Sequence, residues 1–339
     1  MNSSQNPDPK RKNHALLVGT GTALGQQIVQ SFSLDQRLKL QTGTIERLTG
    51  VVSRPTAGTE SQIEMATRAA QNALADAALP ATSLDAILHA AAVPYQAIPA
   101  TAPLIQRALG VPDGAVPAYD VNATCLSALA ALQTATAMIE TGRWQNALII
   151  SSEIASRGLD WTVPATAGLF GDGAGAMVVS AGKEPGIGPI HLATFPDAYD
   201  ASALVAGGTR LDHNSTPNAF ESHRLFEMDA AALWKVTRRE LQGVVDNVLQ
   251  SAEWQLSDVD WIVPHQASPR ALIRMAKILG VADRIIDISI TYGNQIAASL
   301  PIALDVGRRD GRIKPGDRVL MLGTAAGVTF GAATLTLPK

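Results

Sequence analysis

Residues 119–140 read YDVNATCLSALAALQTATAMIE, and they hold the one cysteine of the 339-residue chain. A short extended run, Ala118-Tyr119-Asp120-Val121-Asn122, gives way there to an alanine- and leucine-rich pattern. Its apolar positions Leu126, Leu129, Ala130, Leu132, Ala135 and Met138 leave almost no polar face. That distribution predicts a buried helix with Cys125 in its first turn. A thiol so placed meets unpaired N–H groups and the positive end of the helix dipole, which favour thiolate over thiol. The other reading of this stretch alone is a cysteine serving as a small core hydrophobe. Residues far downstream decide between them.

The chain exceeds the size at which one hydrophobic core usually suffices, so two domains or a duplicated architecture is expected. Hydrophobic residues make up 46% and charged ones 17%, which points to much surface buried inside the fold or between subunits. A net charge of −3 argues against general nucleic-acid binding, which needs a basic groove. A single cysteine excludes a disulfide framework and a cysteine-cluster metal site, and suits a reducing cytoplasm. Residues 1–14, MNSSQNPDPKRKNH, read as a disordered polar tail. The apolar run Ala15–Val18 is broken at once by Gly19, too short for secretion or for a membrane span.

Around this centre the chain alternates strands and helices twice. In ALLVGTGTALGQQIVQ, residues 15–30, a strand meets Gly19, Gly21 and Gly25. The spacing is GxGxxxG and no acidic residue closes a second strand near Gln41, so a glycine-rich turn after an edge strand is expected in place of a dinucleotide site. A helix over 60–79 presents small residues inward and stops at Pro80. A buried strand over 84–93, a helix over 101–109 and an apolar strand over 144–152 follow. Phe170-Gly171-Asp172-Gly173-Ala174-Gly175-Ala176 enters another strand, not a helix, so its glycines are read as points of close packing and not as a phosphate cradle. After a loop-rich stretch from Pro185 the pattern recurs: a helix within 224–250, strand 259–263, helix 268–279, strand 284–289, helix 295–310, and strands 318–322 and 330–337. Two similar α/β units, 15–184 and 185–339, stacked in layers with mostly parallel sheets, are expected.

His265, in Val263-Pro264-His265-Gln266-Ala267-Ser268, follows an apolar strand and precedes a helix. Asn294, in Thr291-Tyr292-Gly293-Asn294-Gln295, also lies between a strand and a helix. Alone, either is equally a structural loop residue or cap. Together with Cys125 they supply a thiol, an imidazole and an amide at strand ends, able to converge on one carbonyl.

At this point the chain resembles the thiolase superfamily, and more narrowly the type III β-ketoacyl-acyl-carrier-protein synthases. The matching pieces are Asp120-Val121-Asn122-Ala123-Thr124-Cys125, Leu169 to Ala176, Pro264-His265-Gln266-Ala267, Tyr292-Gly293-Asn294 with Ala297-Ala298-Ser299-Leu300-Pro301, and Asp310 to Asp317. They run in family order over about residues 16–337. The resemblance implies a five-layered αβαβα fold of two similar halves, a homodimer, and a Cys-His-Asn active site that uses no metal or other cofactor. It makes Cys125 the nucleophile that takes an acyl group from a thioester of acyl carrier protein or coenzyme A. His265 and Asn294 would then hold the carbonyl of a malonyl-type extender as carbon dioxide leaves. The backbone N–H groups of Cys125 and of Ala326 would form an oxyanion hole; Ala326 stands where many relatives have glycine.

Two departures bear on the donor. Housekeeping relatives hold the adenine of coenzyme A between a tryptophan and an arginine, whose positions fall near Thr44 and Pro164 here. A carrier-protein donor, or a coenzyme A held differently, is therefore expected. Arg270, Arg274 and Lys277 share a helix face, and the relatives' counterpart of Arg270 docks acidic acyl carrier protein. The function expected is decarboxylative condensation, in fatty-acid initiation or a specialised polyketide-like pathway. Transfer of the cysteine-bound acyl group to an alcohol or amine is the alternative, although relatives of that kind tend to lose the asparagine. A non-catalytic partner subunit would lack the cysteine.

Overall fold

A computed structural model describes residues 13–339. Most of the tail expected at 1–14 lies outside the described residues, and His14 already begins a strand. The first sheet contains β1 (His14–Leu24), β2 (Ala86–Ala90), β3 (Ala118–Val121), β4 (Asn146–Glu153) and β5 (Gly173–Gly182), in the order β1-β5-β4-β2-β3. The second contains β6 (Ile187–Thr194), β7 (Trp261–Pro264), β8 (Arg318–Ala325) and β9 (Thr329–Thr336), in the order β7-β8-β9-β6.

Strand alternation builds the layers. In β4, Ile149 faces inward while Leu148 and Ile150 face out, and in β8 Val319 and Met321 oppose Leu320 and Leu322. Such two-sided apolar strands need cover on both faces. The outer face of the first sheet is covered by α3 (Gln62–Asp76), which follows the short helices α1 (Ser31–Arg37) and α2 (Thr44–Thr49). A capping box starts α3: the Ser61 hydroxyl accepts the Glu64 N–H, and the Glu64 carboxylate accepts the Ser61 N–H. A short helix, α4 (Ala102–Ala108), leads into β3. Between the sheets lie α5 (Ser127–Glu140) and, from the second half, Ser299–Arg309. The outer face of the second sheet is covered by α6 (Ala230–Ser251) and α7 (Pro269–Leu279). Helix, sheet, helix, sheet, helix is the five-layered order expected. Among the described residues, no helix is long and apolar enough to cross a membrane.

The structure corrects four local expectations. Gly19 and Gly21 sit inside β1 and not in a turn. A methyl group on Gly19 would lie 2.3 Å from the Ala73 carbonyl oxygen, and one on Gly21 would lie 2.4 Å from that of Ala69. These glycines, with the alanine face of α3, let helix and strand backbones touch. The sheets are mixed and not mostly parallel: β2 pairs in parallel with β3 and β4, and β7 with β8, but the other pairings are antiparallel. The link between β8 and β9 is too short for a crossover, so a hairpin is the only outcome. The strand expected at 284–289 is an extended piece with a single bridge, Ile262 to Ile285, before the chain coils into a short helix, Ser289–Tyr292. The long helix expected from Arg224 starts at Ala230, where the Asp229 carboxylate caps the N–H groups of Ala231 and Ala232.

Candidate active site

Cys125 lies on an elbow between β3 and α5. Thr124 has φ of +50°, uncommon for a threonine and held by side chains on either side. The Asn122 side-chain oxygen accepts the Thr124 N–H at 2.9 Å. Ser127 accepts the Ala123 N–H at 3.0 Å and donates to the Thr124 carbonyl at 2.6 Å. Because this turn uses up residues 122–126, α5 begins only at Ser127, and Cys125 precedes the helix instead of occupying its first turn.

The surroundings of Cys125 act against the thiolate that a helix N-terminus favours. Burial, followed by the negative charge of Glu153, pushes the thiol from its ordinary 9.0 up to about 12. The backbone N–H groups of Ala326 and of Cys125 itself act in the opposite direction. Both causes named first favour a neutral resting thiol.

His265 follows β7 and is 5% exposed. Its Nδ1 lies 2.7 Å from the Ser299 hydroxyl, and burial lowers its pKa to about 4, so the ring is neutral near neutral pH. If Ser299 donates to Nδ1, the proton of the ring sits on Nε2, where it can be donated to a ligand. Gly323 brings this ring to the nucleophile segment: a methyl group there would lie 2.8 Å from His265 Cβ and 2.9 Å from the side chain of Leu126, the residue after Cys125.

Asn294 is 6% exposed. Its side-chain oxygen accepts the Ile296 N–H at 2.8 Å, and its Nδ2 donates to the carbonyl of Ala267, two residues beyond His265, at 3.3 Å. Its backbone bridges Leu169 and Gly171. A methyl group on Gly171 would lie 2.2 Å from the Tyr292 carbonyl oxygen, so the glycine-rich turn does serve close packing. The segments bearing Cys125, His265 and Asn294 are thus brought together at one end of the middle layer, from both halves of the chain.

Arg270, Arg274 and Lys277 are exposed on α7. Arg270 donates to the Arg47 carbonyl of α2, and the Arg274 guanidinium lies 5.2 Å from the centre of the Trp234 ring. Two features were not found in the sequence reading. Arg37 of α1 stacks 5.1 Å over Trp161, seven residues before Thr44 and three before Pro164; comparing only the family's own positions passes over it. Ser299 was quoted within a motif without a role, and only its contact with His265 gives it one.

Residues 119–196 match the family model described as 3-oxoacyl-[acyl-carrier-protein (ACP)] synthase III, and residues 249–337 match the model of that family's C-terminal part. A β-ketoacyl-[acyl-carrier-protein] synthase III of Neisseria gonorrhoeae is 37% identical over 329 residues, covering 95% of this chain and 99% of the relative. The enzyme of the same description from Bordetella petrii is 38% identical over 328 residues, covering 94% and 97%. The crystal structure of 3-oxoacyl-(acyl carrier protein) synthase III from Pseudomonas aeruginosa superposes with a TM-score of 0.87 at 31% identity, covering 96% of this chain and 99% of that one. The priming β-ketosynthase of the R1128 polyketide pathway superposes with a TM-score of 0.91 at 24% identity over 99% of both chains; at that identity the likeness speaks for the fold alone.

Proposed function

Because the chain belongs to the 3-oxoacyl-[acyl-carrier-protein] synthase III family of the thiolase superfamily, we propose that it starts an acyl chain by condensing an acyl thioester with a malonyl thioester. The acyl carbonyl is attacked by the Cys125 sulfur, a carbon–sulfur bond to the donor breaks, and the donor leaves as a free thiol. The Cys125 proton must leave as the sulfur attacks, and the departing donor thiolate takes it up; His265, neutral through burial, keeps its Nε2 proton for the next step. The N–H groups of Cys125 and Ala326 are the donors for the developing oxyanion. In the second half-reaction the malonyl thioester loses carbon dioxide. His265 and Asn294 donate to its carbonyl, and the enolate carbon attacks the acyl-cysteine, forming the carbon–carbon bond and freeing the sulfur.

One observation carries this reading: the Thr124 hydroxyl donates to the Ala326 carbonyl at 3.3 Å, setting that turn beside the nucleophile segment, while Asn294 grips the loop of His265. The retained asparagine weighs against transfer to an alcohol or amine. Incubation with a panel of acyl-carrier and acyl-coenzyme A donors, followed by intact mass measurement and then addition of malonyl carrier protein, tests it. The expected result is one acyl adduct on Cys125 that disappears as a β-ketoacyl thioester forms. Failure of every donor to load would sink the proposal.

Donor delivery is assigned to the exposed face Arg270, Arg274 and Lys277, with acidic acyl carrier protein as the partner. Reversing the charge in Arg270→Glu should raise KM for a carrier-bound substrate roughly tenfold, a loss of about 1.4 kcal/mol. KM for a short thioester mimic should not change, and equal effects on both would remove carrier docking. The Arg37–Trp161 stack supports a second donor route, with coenzyme A held differently from the housekeeping relatives. A homodimer is part of the proposal: β3 is an edge strand, and next to it Tyr119, Val93, Tyr95 and Ile98 are exposed, Ile98 to 87%, an apolar surface suited to a second copy.

A further inference from the structure

Glu153 is the last residue of β4 and has no exposed surface. A carboxyl group buried at the end of an apolar strand is costly unless its oxygens are paired. Here backbone N–H groups of one loop pair with it, and a second segment packs alongside. Ala92 donates at 2.6 Å and Val93 at 3.4 Å, and the turn Ile296–Ala298 packs against β4, with the Ala297 N–H acting to hold the carboxyl group's pKa down.

Each donor has a position of consequence. Ala92 and Val93 open the loop that runs past Tyr95 and Ile98 to Thr101. The far end of this loop is held by Asp120, which accepts the N–H groups of Thr101 and Ala102 at 2.8 Å each. Ala297 lies in the turn directly after Asn294, and the adjacent N–H, that of Ile296, is the one Asn294 itself accepts. The third neighbour is the nucleophile, close enough for the charge of Glu153 to act on the Cys125 thiol. One carboxyl group therefore holds the loop beside the site at the strand on which the turn after Asn294 packs.

We infer that Glu153 is a positioning residue that fixes the Asn294 turn and the Ala92–Val93 loop relative to Cys125, so that malonyl decarboxylation depends on it more than acyl loading does. The inference rests on the condensing-enzyme reading above. Its ionisation adds an independent handle. The titratable groups acting on it are Cys125 and Asp172, the latter itself paired with Ser156 and the Ala57 N–H and attracted to Arg157. Burial, with a smaller contribution from Asp172, raises Glu153 to about 8. Above that pH its charge opposes the thiolate.

The test compares Glu153→Gln and Glu153→Ala with the unaltered protein in three assays: acyl loading, malonyl decarboxylation, and alkylation of Cys125 by iodoacetamide against pH. Glutamine keeps the size and one acceptor but turns an N–H donor toward a backbone N–H. It should leave loading within about threefold and lower decarboxylation roughly tenfold, and alanine should lower it roughly a hundredfold, the scale of a misplacement near 1 Å. The alkylation midpoint of Glu153→Gln should move to lower pH, because the opposing charge is gone. If alanine prevents folding, the glutamine variant carries the test. Decarboxylation within twofold of the unaltered protein in each variant that folds, equal losses in loading and decarboxylation, or an unmoved alkylation profile in Glu153→Gln overturns the inference. An unaltered protein that neither loads nor decarboxylates refutes the condensing-enzyme reading instead.

Discussion

Cys125→Ala is expected to carry no acyl group after incubation with any thioester donor, and to lose condensation by roughly 10⁴-fold or more, as when a covalent nucleophile is deleted. The loss should be chemical and not structural. The elbow around residue 125 is built by Asn122, Thr124 and Ser127 through bonds to backbone atoms, and the core beneath it by Leu126 and Leu129. None of these depends on the sulfur, so the variant should keep its melting temperature within a few degrees. Cys125→Ser sharpens the point. A neutral thiol at about 12 already has to give up its proton during attack, and a hydroxyl, a much weaker acid, gives it up far less readily. Serine should therefore load far more slowly than cysteine despite similar shape. Intact mass measurement decides both, and an acylated Cys125→Ala protein would refute the nucleophile assignment.

Much of the site was legible because it follows from strand and helix pattern. Cys125 and His265 each follow a strand visible in the pattern, whereas the strand expected before Asn294 is an extended piece and a short helix; the glycines at 171, 173 and 175 enter a strand, which excluded a phosphate cradle and left close packing. What the pattern could not give was which surfaces meet. The alanine face of residues 62–76 and the glycines at 19 and 21 were each visible, yet their contact is a tertiary fact, so the glycines read as a turn. The thiol's surroundings were hidden similarly: a helix dipole can be inferred from adjacent residues, whereas the charge of Glu153 that opposes it comes from a strand well along the chain. Glu153 left little trace because its partners are backbone N–H groups, which every residue but proline has. The β8–β9 hairpin, by contrast, could have been read from the short spacing between two apolar runs, and the parallel expectation ignored it.

Asn294→Ala should separate the two halves of the reaction. The amide nitrogen gives one hydrogen to the Ala267 carbonyl at 3.3 Å, and the amide oxygen takes the Ile296 N–H at 2.8 Å. This fixes the group and leaves its second N–H to donate to a bound carbonyl. Deleting one such donor costs about 10²–10³-fold when charge develops on the oxygen it serves. Decarboxylation of a malonyl thioester should fall by that amount. Loading of Cys125 uses the N–H groups of Cys125 and Ala326 and should change little. Asn294→Asp discriminates further: it keeps the Ile296 contact but replaces the donor with a carboxylate that repels the enolate, so decarboxylation should fall below that of alanine. Measured carbon dioxide release beside the rate of acyl-enzyme formation gives both numbers from one preparation. Equal losses in the two would mean that Asn294 shapes the whole site and not the enolate step. In that case the assignment of His265 and Asn294 to a shared carbonyl fails, while the assignment of Cys125 stands.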